Sequence, residues 1–89
     1  MARISKYINE YTSKSEELSQ RFSNEINFFT LEYLEEKQLK FGISNVLLCS
    51  TLKISMTVLS KWKNGVTQLP DYYKINIYSF FKYLEENYK

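Results

Sequence analysis

Residues 44–65, SNVLLCSTLKISMTVLSKWKNG, carry the clearest folding signal in this chain of 89 residues. Two short runs of apolar residues at helical spacing flank Lys53. In the second run, Val58, Leu59 and Trp62 fall on one side of a helix with 3.6 residues per turn. The opposite side carries short polar or cationic side chains at i, i+3, i+4 and i+7: Thr57, Ser60, Lys61 and Asn64. The pattern predicts two short helices joined by a tight turn.

Capping residues set the expected limits of these helices. Gly42 is a suitable C-cap for the preceding helix, and Ser44 and Ser55 are suitable N-caps for the two that follow. We therefore predict helices at 45–52 and 56–63, the second closed by Asn64-Gly65. The first of these should bury four residues: Val46, Leu48, Cys49 and Leu52.

The N-terminal part of the chain also has helical spacing, but polar residues interrupt it. Ile4 to Tyr11 predicts a short amphipathic helix, and Thr12 to Ser15 should break it, with Ser13 or Ser15 capping the next helix. That next helix either continues to about Lys40 or breaks near Asn27.

Asp71 is the expected cap of the last helix, which carries two apolar rows. A face this wide is covered either by a second copy of the chain or by burial within one subunit.

Composition favours one compact, all-α domain of about five to six helices. The chain is 44% hydrophobic and 17% aromatic, and it has only two glycines and one proline to interrupt helices. We divide it into an extra N-terminal helical extension, 1–27, and a core, 28–89. The single cysteine, Cys49, should be a core thiol. No signal peptide or membrane span is evident, so a cytoplasmic protein is expected.

The residues needed for common kinds of catalysis are missing. The chain has no histidine, which is the usual general base near neutral pH and the commonest metal ligand. Adjacent glutamates such as Glu16-Glu17 diverge by about 100° on a helix, so they do not converge on one reacting atom. The sequence also lacks a glycine-rich phosphate loop and metal-spaced cysteines. We therefore expect no enzyme activity, no cofactor and no metal.

Charge is unevenly distributed, although the net charge is only +2. Residues 1–36 carry −3, residues 37–70 carry +5 with no acidic residue, and the rest is neutral. Lysines placed on phosphates release condensed counterions, which favours binding to nucleic acid. The basic stretch coincides with the predicted helix pair and consists of five residues: Lys37, Lys40, Lys53, Lys61 and Lys63.

The helix pair and its surroundings resemble the Cro and lambda-repressor-like helix-turn-helix family. The residues that carry the resemblance are Gly42-Ile43-Ser44, Leu48-Cys49, Leu52-Lys53-Ile54-Ser55, Leu59-Ser60-Lys61-Trp62, Asn64-Gly65 and Pro70. The resemblance covers residues 42–70. Cys49 stands where the family usually has alanine. Lys53 stands where the family usually has a glycine with positive φ, so a mildly strained turn is expected.

The resemblance implies that helix 56–63 lies in the major groove of DNA. Four residues would then meet base edges: Met56, Thr57, Ser60 and Lys61. Four others would contact phosphates: Lys53, Lys63, Asn64 and Ser44.

The function expected from these features is that of a small transcriptional regulator. It would be a repressor of a bacterium, phage or other mobile element that binds double-stranded DNA as a homodimer, with a protein antagonist as a possible regulator and no membrane or small-molecule substrate involved. The alternative is a protein-interaction module, such as an antagonist or inhibitor of another protein, that uses the helix pair as scaffold. The low net charge and the lack of arginine on the polar face favour this alternative.

Overall fold

The computed structural model describes residues 4–88, which form five α-helices and one 3₁₀ helix and contain no strand. The elements in chain order are α1 Ile4–Phe22, the 3₁₀ helix Ser23–Phe28, α2 Leu31–Phe41, α3 Asn45–Leu52, α4 Met56–Lys63 and α5 Asp71–Asn87. The expected all-α fold is confirmed. Within these residues no helix has the combination of length and apolar character that crossing a bilayer requires.

Helix α1 is continuous, so the predicted break at Thr12 to Ser15 is wrong. Hydroxyl groups in this segment donate to carbonyl oxygens one turn back instead of capping a new helix. Thr12 Oγ1 lies 2.7 Å from the Asn9 carbonyl oxygen, and Ser15 Oγ lies 3.4 Å from that of Thr12. The buried residues on both sides of the segment share one helix face, and packing of that face outweighs the weak helix propensity of serine and threonine.

The chain breaks between α1 and α2, as one of the two alternatives predicted. Residues Ser23–Phe28 tighten into the 3₁₀ helix, Phe29 is extended, and Thr30 caps α2 by accepting the Tyr33 N–H at 3.1 Å. A helix running unbroken to Lys40 is therefore excluded. The break lets α2 turn back toward α5.

Helix α5 forms the centre of the core. Ile77, Phe80, Phe81 and Leu84 have no exposed surface in the single chain. Of the two coverings considered for its wide apolar face, burial within one subunit is confirmed. Helix α1 packs along α5, and its buried side chains belong to the same hydrophobic cluster as those of residues 28–89.

A polar network crosses the interface between α1 and α5. The Tyr11 hydroxyl is 3.0 Å from the Asn76 carbonyl oxygen and 2.7 Å from Ser79 Oγ. Ser19 Oγ donates to Asn76 Oδ1 at 2.8 Å. Ser79, a fully buried polar residue, is thereby hydrogen-bonded, which removes the main cost of placing it in the core.

Three tyrosine hydroxyls donate to glutamates on other helices and tie those helices together. The pairs are Tyr83 to Glu10 at 2.6 Å, Tyr78 to Glu25 at 3.1 Å and Tyr33 to Glu85 at 3.1 Å. Each pair includes one residue of α5. Hydrogen bonds to carboxylates are stronger than those between neutral groups.

Helices α3 and α4 have the limits predicted from sequence. Gly42 caps α2 at φ 67°, and Ser44 caps α3 by accepting the Leu47 N–H at 3.1 Å. Lys53 follows α3 in the left-handed region at φ 57°, as expected. Among residues 4–88 it is the only non-glycine residue with positive φ.

Three details of this region differ from the prediction. Val46, the second residue of α3, is 66% exposed and not buried. Ser55 occupies the N-cap position of α4 without a side-chain capping bond. Asp71 is the first residue of α5 and Pro70 is its cap.

We predict a loss of stability at alkaline pH. Burial and a hydrogen bond to a glutamate raise the pKa of Tyr78 and of Tyr83 to about 12, from 10. Each of these tyrosines has a higher pKa in the folded than in the unfolded state. The stability that its protonated hydroxyl contributes is therefore fully present below pH 10 and is lost between pH 10 and 12. Thermal unfolding followed by circular dichroism from pH 8 to 12 measures the decline.

Tyr83→Phe should lower stability by about 1 kcal/mol at pH 8 and make the alkaline decline shallower. Tyr72→Phe is the matched control, because Tyr72 is 71% exposed. An alkaline decline of unchanged steepness in Tyr83→Phe would show that this pair does not contribute.

Backbone strain at Lys53 can be tested by substitution. Asparagine adopts positive φ more readily than lysine, so Lys53→Asn should raise the free energy of unfolding by up to about 1 kcal/mol. Lys53→Val should lower it by more than about 1 kcal/mol, since a β-branched residue is a poor fit there. Urea denaturation measures both variants, and equal destabilisation by Asn and Val would contradict the prediction.

Candidate nucleic-acid interface

The four residues predicted to meet base edges lie together on the solvent side of α4. Met56, Thr57, Ser60 and Lys61 are all exposed, and their spacing places them on adjoining parts of one helix surface. Leu59, on the opposite side, is buried. The structure therefore brings the predicted base-contact residues onto one accessible face.

Aromatic packing holds α4 in its orientation. The Trp62 ring is stacked on Phe29, with ring centroids 5.6 Å apart and planes inclined by 14°. Phe29 is itself buried and packs edge-on against Tyr78 of α5. Through these contacts the exposed face of α4 is fixed relative to the core.

Asn64 extends the polar face beyond the end of α4. Its side-chain amide lies 3.4 Å from Ser60 Oγ, and both residues remain exposed. Gly65 follows at φ 75° and turns the chain away. Asn64 is therefore available to an external partner, next to a residue of the base-contact set.

Ser44 and Lys53 lie at the two ends of α3 and are both exposed. The Ser44 oxygen accepts the capping hydrogen bond from Leu47, which leaves the hydroxyl hydrogen free to be donated. Lys53 presents its side chain from the turn between α3 and α4.

Lys63, also predicted to contact phosphate, is held within the protein. Its ammonium donates to Gln38 Oε1 at 2.6 Å and to Asn45 Oδ1 at 2.7 Å. Desolvation lowers the pKa of Lys63, and the nearby Glu35 partly opposes this shift. Unlike the other residues predicted to contact phosphate, Lys63 has its charged group bonded to side chains of the protein itself.

The basic stretch 37–70 contains no acidic residue, but in the folded chain acidic residues from outside it lie next to one of its lysines. Lys37 is only 14% exposed and pairs with Glu85 of α5 at 3.1 Å. Glu36 lies 3.7 Å from the same ammonium. Three lysines of this stretch remain exposed: Lys40, Lys53 and Lys61.

A cleft of about 900 Å³ adjoins Lys53, and sequence reasoning missed it. It lies between α1, the turn after α3 and the start of α5, where Tyr72 and Asn76 form one wall. The signal that could have found it is the helical spacing of hydroxyl residues along α1 and into the start of the 3₁₀ helix: Thr12, Ser15, Ser19 and Ser23. The predicted break in α1 concealed this stripe.

Within residues 4–88 no group of three or more histidine, cysteine, aspartate or glutamate side chains is arranged to hold a metal ion. Cys49 is buried, as predicted, and burial raises the pKa of its thiol. A raised pKa keeps the thiol protonated near neutral pH, which suits packing and not nucleophilic chemistry.

Comparisons with protein-family models, with curated proteins and with solved structures found no match for this chain.

Proposed function

We propose that this protein is a small, sequence-specific regulator of transcription that binds double-stranded DNA with α4 in the major groove. The observation that carries the proposal is the shared exposure of Thr57, Ser60 and Lys61 on a helix whose other side is anchored by Leu59. An α-helix fits the width of the major groove, and side chains of this length reach base edges there.

Each side chain of the face has a plausible base partner. Lys61 can donate to O6 or N7 of guanine, and Thr57 and Ser60 can donate or accept hydrogen bonds. Met56 can contact the methyl group of thymine. Outside α4, Lys53, Asn64 and Ser44 would contact phosphates, and such contacts fix the position of a protein on the duplex.

The small number of exposed lysines favours binding as a homodimer. Each phosphate contact made by a lysine contributes about −0.9 to the slope of log K against log salt concentration. With Lys53 and Lys61 as the main cations of one subunit, a monomer would bind weakly at physiological salt. Two subunits on half-sites about 34 Å apart would double these contacts.

In this proposal the protein acts in the cytoplasm as a repressor of a bacterium, phage or mobile element. A repressor of this size needs only to occupy its operator, and a protein antagonist could relieve it.

Selection from a random duplex pool tests the proposal directly. The purified chain is incubated with the pool at low salt, bound duplexes are sequenced, and affinity is measured by fluorescence anisotropy. Enrichment of a two-fold symmetric site is the expected result. Absence of binding at micromolar protein in 50 mM salt would refute the proposal.

Loss of hydroxyl groups on α4 should affect specificity more than general affinity. Thr57→Ala and Ser60→Ala should each reduce discrimination between the selected site and random duplex by about 1 to 3 kcal/mol. Ser13→Ala, which removes an exposed hydroxyl of α1, is the matched control. If discrimination were unchanged in both α4 variants, Thr57 and Ser60 would not be the residues that contact the bases.

A protein-interaction module is the second candidate, and two observations favour it. Lys37 and Lys63 are engaged within the chain, and apolar side chains are exposed around the helix pair at Val46, Met56 and Val66. Under this reading the helix pair is scaffold, and a protein partner is bound without DNA.

Lys61→Glu tests whether duplex binding runs through α4, whereas a protein-interaction module would bind no duplex even as the wild type. The substitution should abolish duplex binding if α4 enters the groove, because a carboxylate would face the phosphates and the base edges. Lys14→Glu, at an exposed position of α1, controls for net charge. Equal loss of binding in the two variants would indicate a nonspecific charge effect and would count against the proposed interface.

A further inference from the structure

A network of side-chain hydrogen bonds joins the ends of α2, α3 and α4. Gln38 lies in the last turns of α2, Asn45 is the first residue of α3, and Lys63 is the last residue of α4. The Lys63 ammonium donates to Gln38 Oε1 at 2.6 Å and to Asn45 Oδ1 at 2.7 Å. Gln38 Nε2 completes the ring by donating to Asn45 Oδ1 at 2.9 Å.

Gln38 also holds the loop that links α2 to α3. Its side-chain Nε2 donates to the backbone carbonyl oxygen of Ile43 at 3.0 Å, and the backbone carbonyl oxygen of Gln38 accepts the Ile43 N–H at 2.9 Å. The Gln38 side chain is thus held by the backbone carbonyl of Ile43, a contact that does not depend on Lys63. A preformed acceptor lowers the entropy lost when a long lysine side chain is ordered.

The ammonium sits among neutral partners and is half-buried. Moving Lys63 to a phosphate would break two short hydrogen bonds and leave Gln38 Oε1 without its donor, while Asn45 Oδ1 would keep the bond from Gln38 Nε2. Lys53 and Lys61, by contrast, are exposed. Lys63 therefore has hydrogen-bond partners within the protein that take the place of a phosphate. Among residues 4–88, Lys53 and Lys61 have no such partners.

We propose that Lys63 is a positioning residue, which holds the last turn of α4 against α2 and α3 and so fixes the angle at which α4 presents Thr57, Ser60 and Lys61. This inference rests on the proposed DNA-binding function. It replaces the phosphate contact expected for Lys63 from sequence. Recognition sites need supporting contacts that hold side chains within about 0.5 Å of the productive geometry, and this network supplies one.

The salt dependence of DNA binding distinguishes positioning from phosphate contact. Fluorescence anisotropy is measured from 50 to 300 mM salt for the wild type, Lys63→Gln and Lys53→Gln, on the selected site and on a random duplex. Lys53→Gln should lower the salt slope by about one unit for each subunit. Lys63→Gln should leave the slope unchanged and reduce the preference for the selected site by about tenfold.

Gln38→Met provides a second, charge-neutral variant. It removes the acceptor of Lys63 without altering any lysine, so it should reproduce the loss of preference at unchanged slope. If Lys63 were a phosphate contact, Gln38→Met would leave the preference unchanged and Lys63→Gln would lower the slope. That result would overturn the inference, as would loss of folding stability in both variants with the preference intact.

A measurement without DNA keeps the inference separate from the proposed function. In ¹H–¹⁵N spectra of the free protein, Lys63→Gln should shift the side-chain amide signals of Gln38 and Asn45 and speed their exchange with water. Trp62 emission should shift as the end of α4 loosens. If the chain binds no DNA but these changes occur, the proposed function fails while the positioning of α4 by Lys63 stands. Unchanged amide signals and Trp62 emission would overturn the positioning role.

Discussion

The structure depends on the burial of α5, the last helix, against helices from the N-terminal half of the chain. Ile77, Phe80 and Phe81 have no exposed surface, and α1, the 3₁₀ helix and α2 all pack against this central apolar helix. Helix α1 covers one side, and its Tyr11 hydroxyl closes the contact by bonding to Ser79. Removing this covering would expose several aromatic rings, at a cost of roughly 1.5 to 3 kcal/mol for each side chain.

Helices α3 and α4 are each only eight residues long, and helices of that length are marginal in water by themselves. Leu48 and Leu59 insert into the core, and the stacking of Trp62 on Phe29 adds a second attachment. Because the apolar side of α4 is held in the core, its polar side is turned toward solvent. A functional surface of this kind is precise because the helix beneath it has little freedom to rotate.

The electrostatic character of the helix pair changes once the chain is folded. The stretch 37–70 contains no acidic residue, yet Lys37 pairs with Glu85, which lies far along the sequence. Lys63 is occupied by two amide oxygens. The positive surface offered to a partner is thus narrower than the sequence indicates, and Lys53 and Lys61 carry most of it near α4.

The sequence alone determined the limits of α3 and α4 and the caps at Gly42 and Ser44. These features depend on residues within about four positions of one another, so local capping and helical spacing are sufficient to predict them. The exposure of Thr57, Ser60 and Lys61 followed from the same spacing, because a short amphipathic helix buries its apolar side.

The tertiary structure alone decided that α1 is continuous, that α5 is covered within one subunit, and that Lys37 and Lys63 have partners inside the chain. Each of these outcomes depends on contacts between residues that are distant in sequence, such as Tyr11 with Ser79 or Lys63 with Gln38. Local propensity in Thr12 to Ser15 opposed the helix that formed. Packing against α5 prevailed because burial of a whole helix face outweighs the few tenths of a kcal/mol per residue that separate helix propensities.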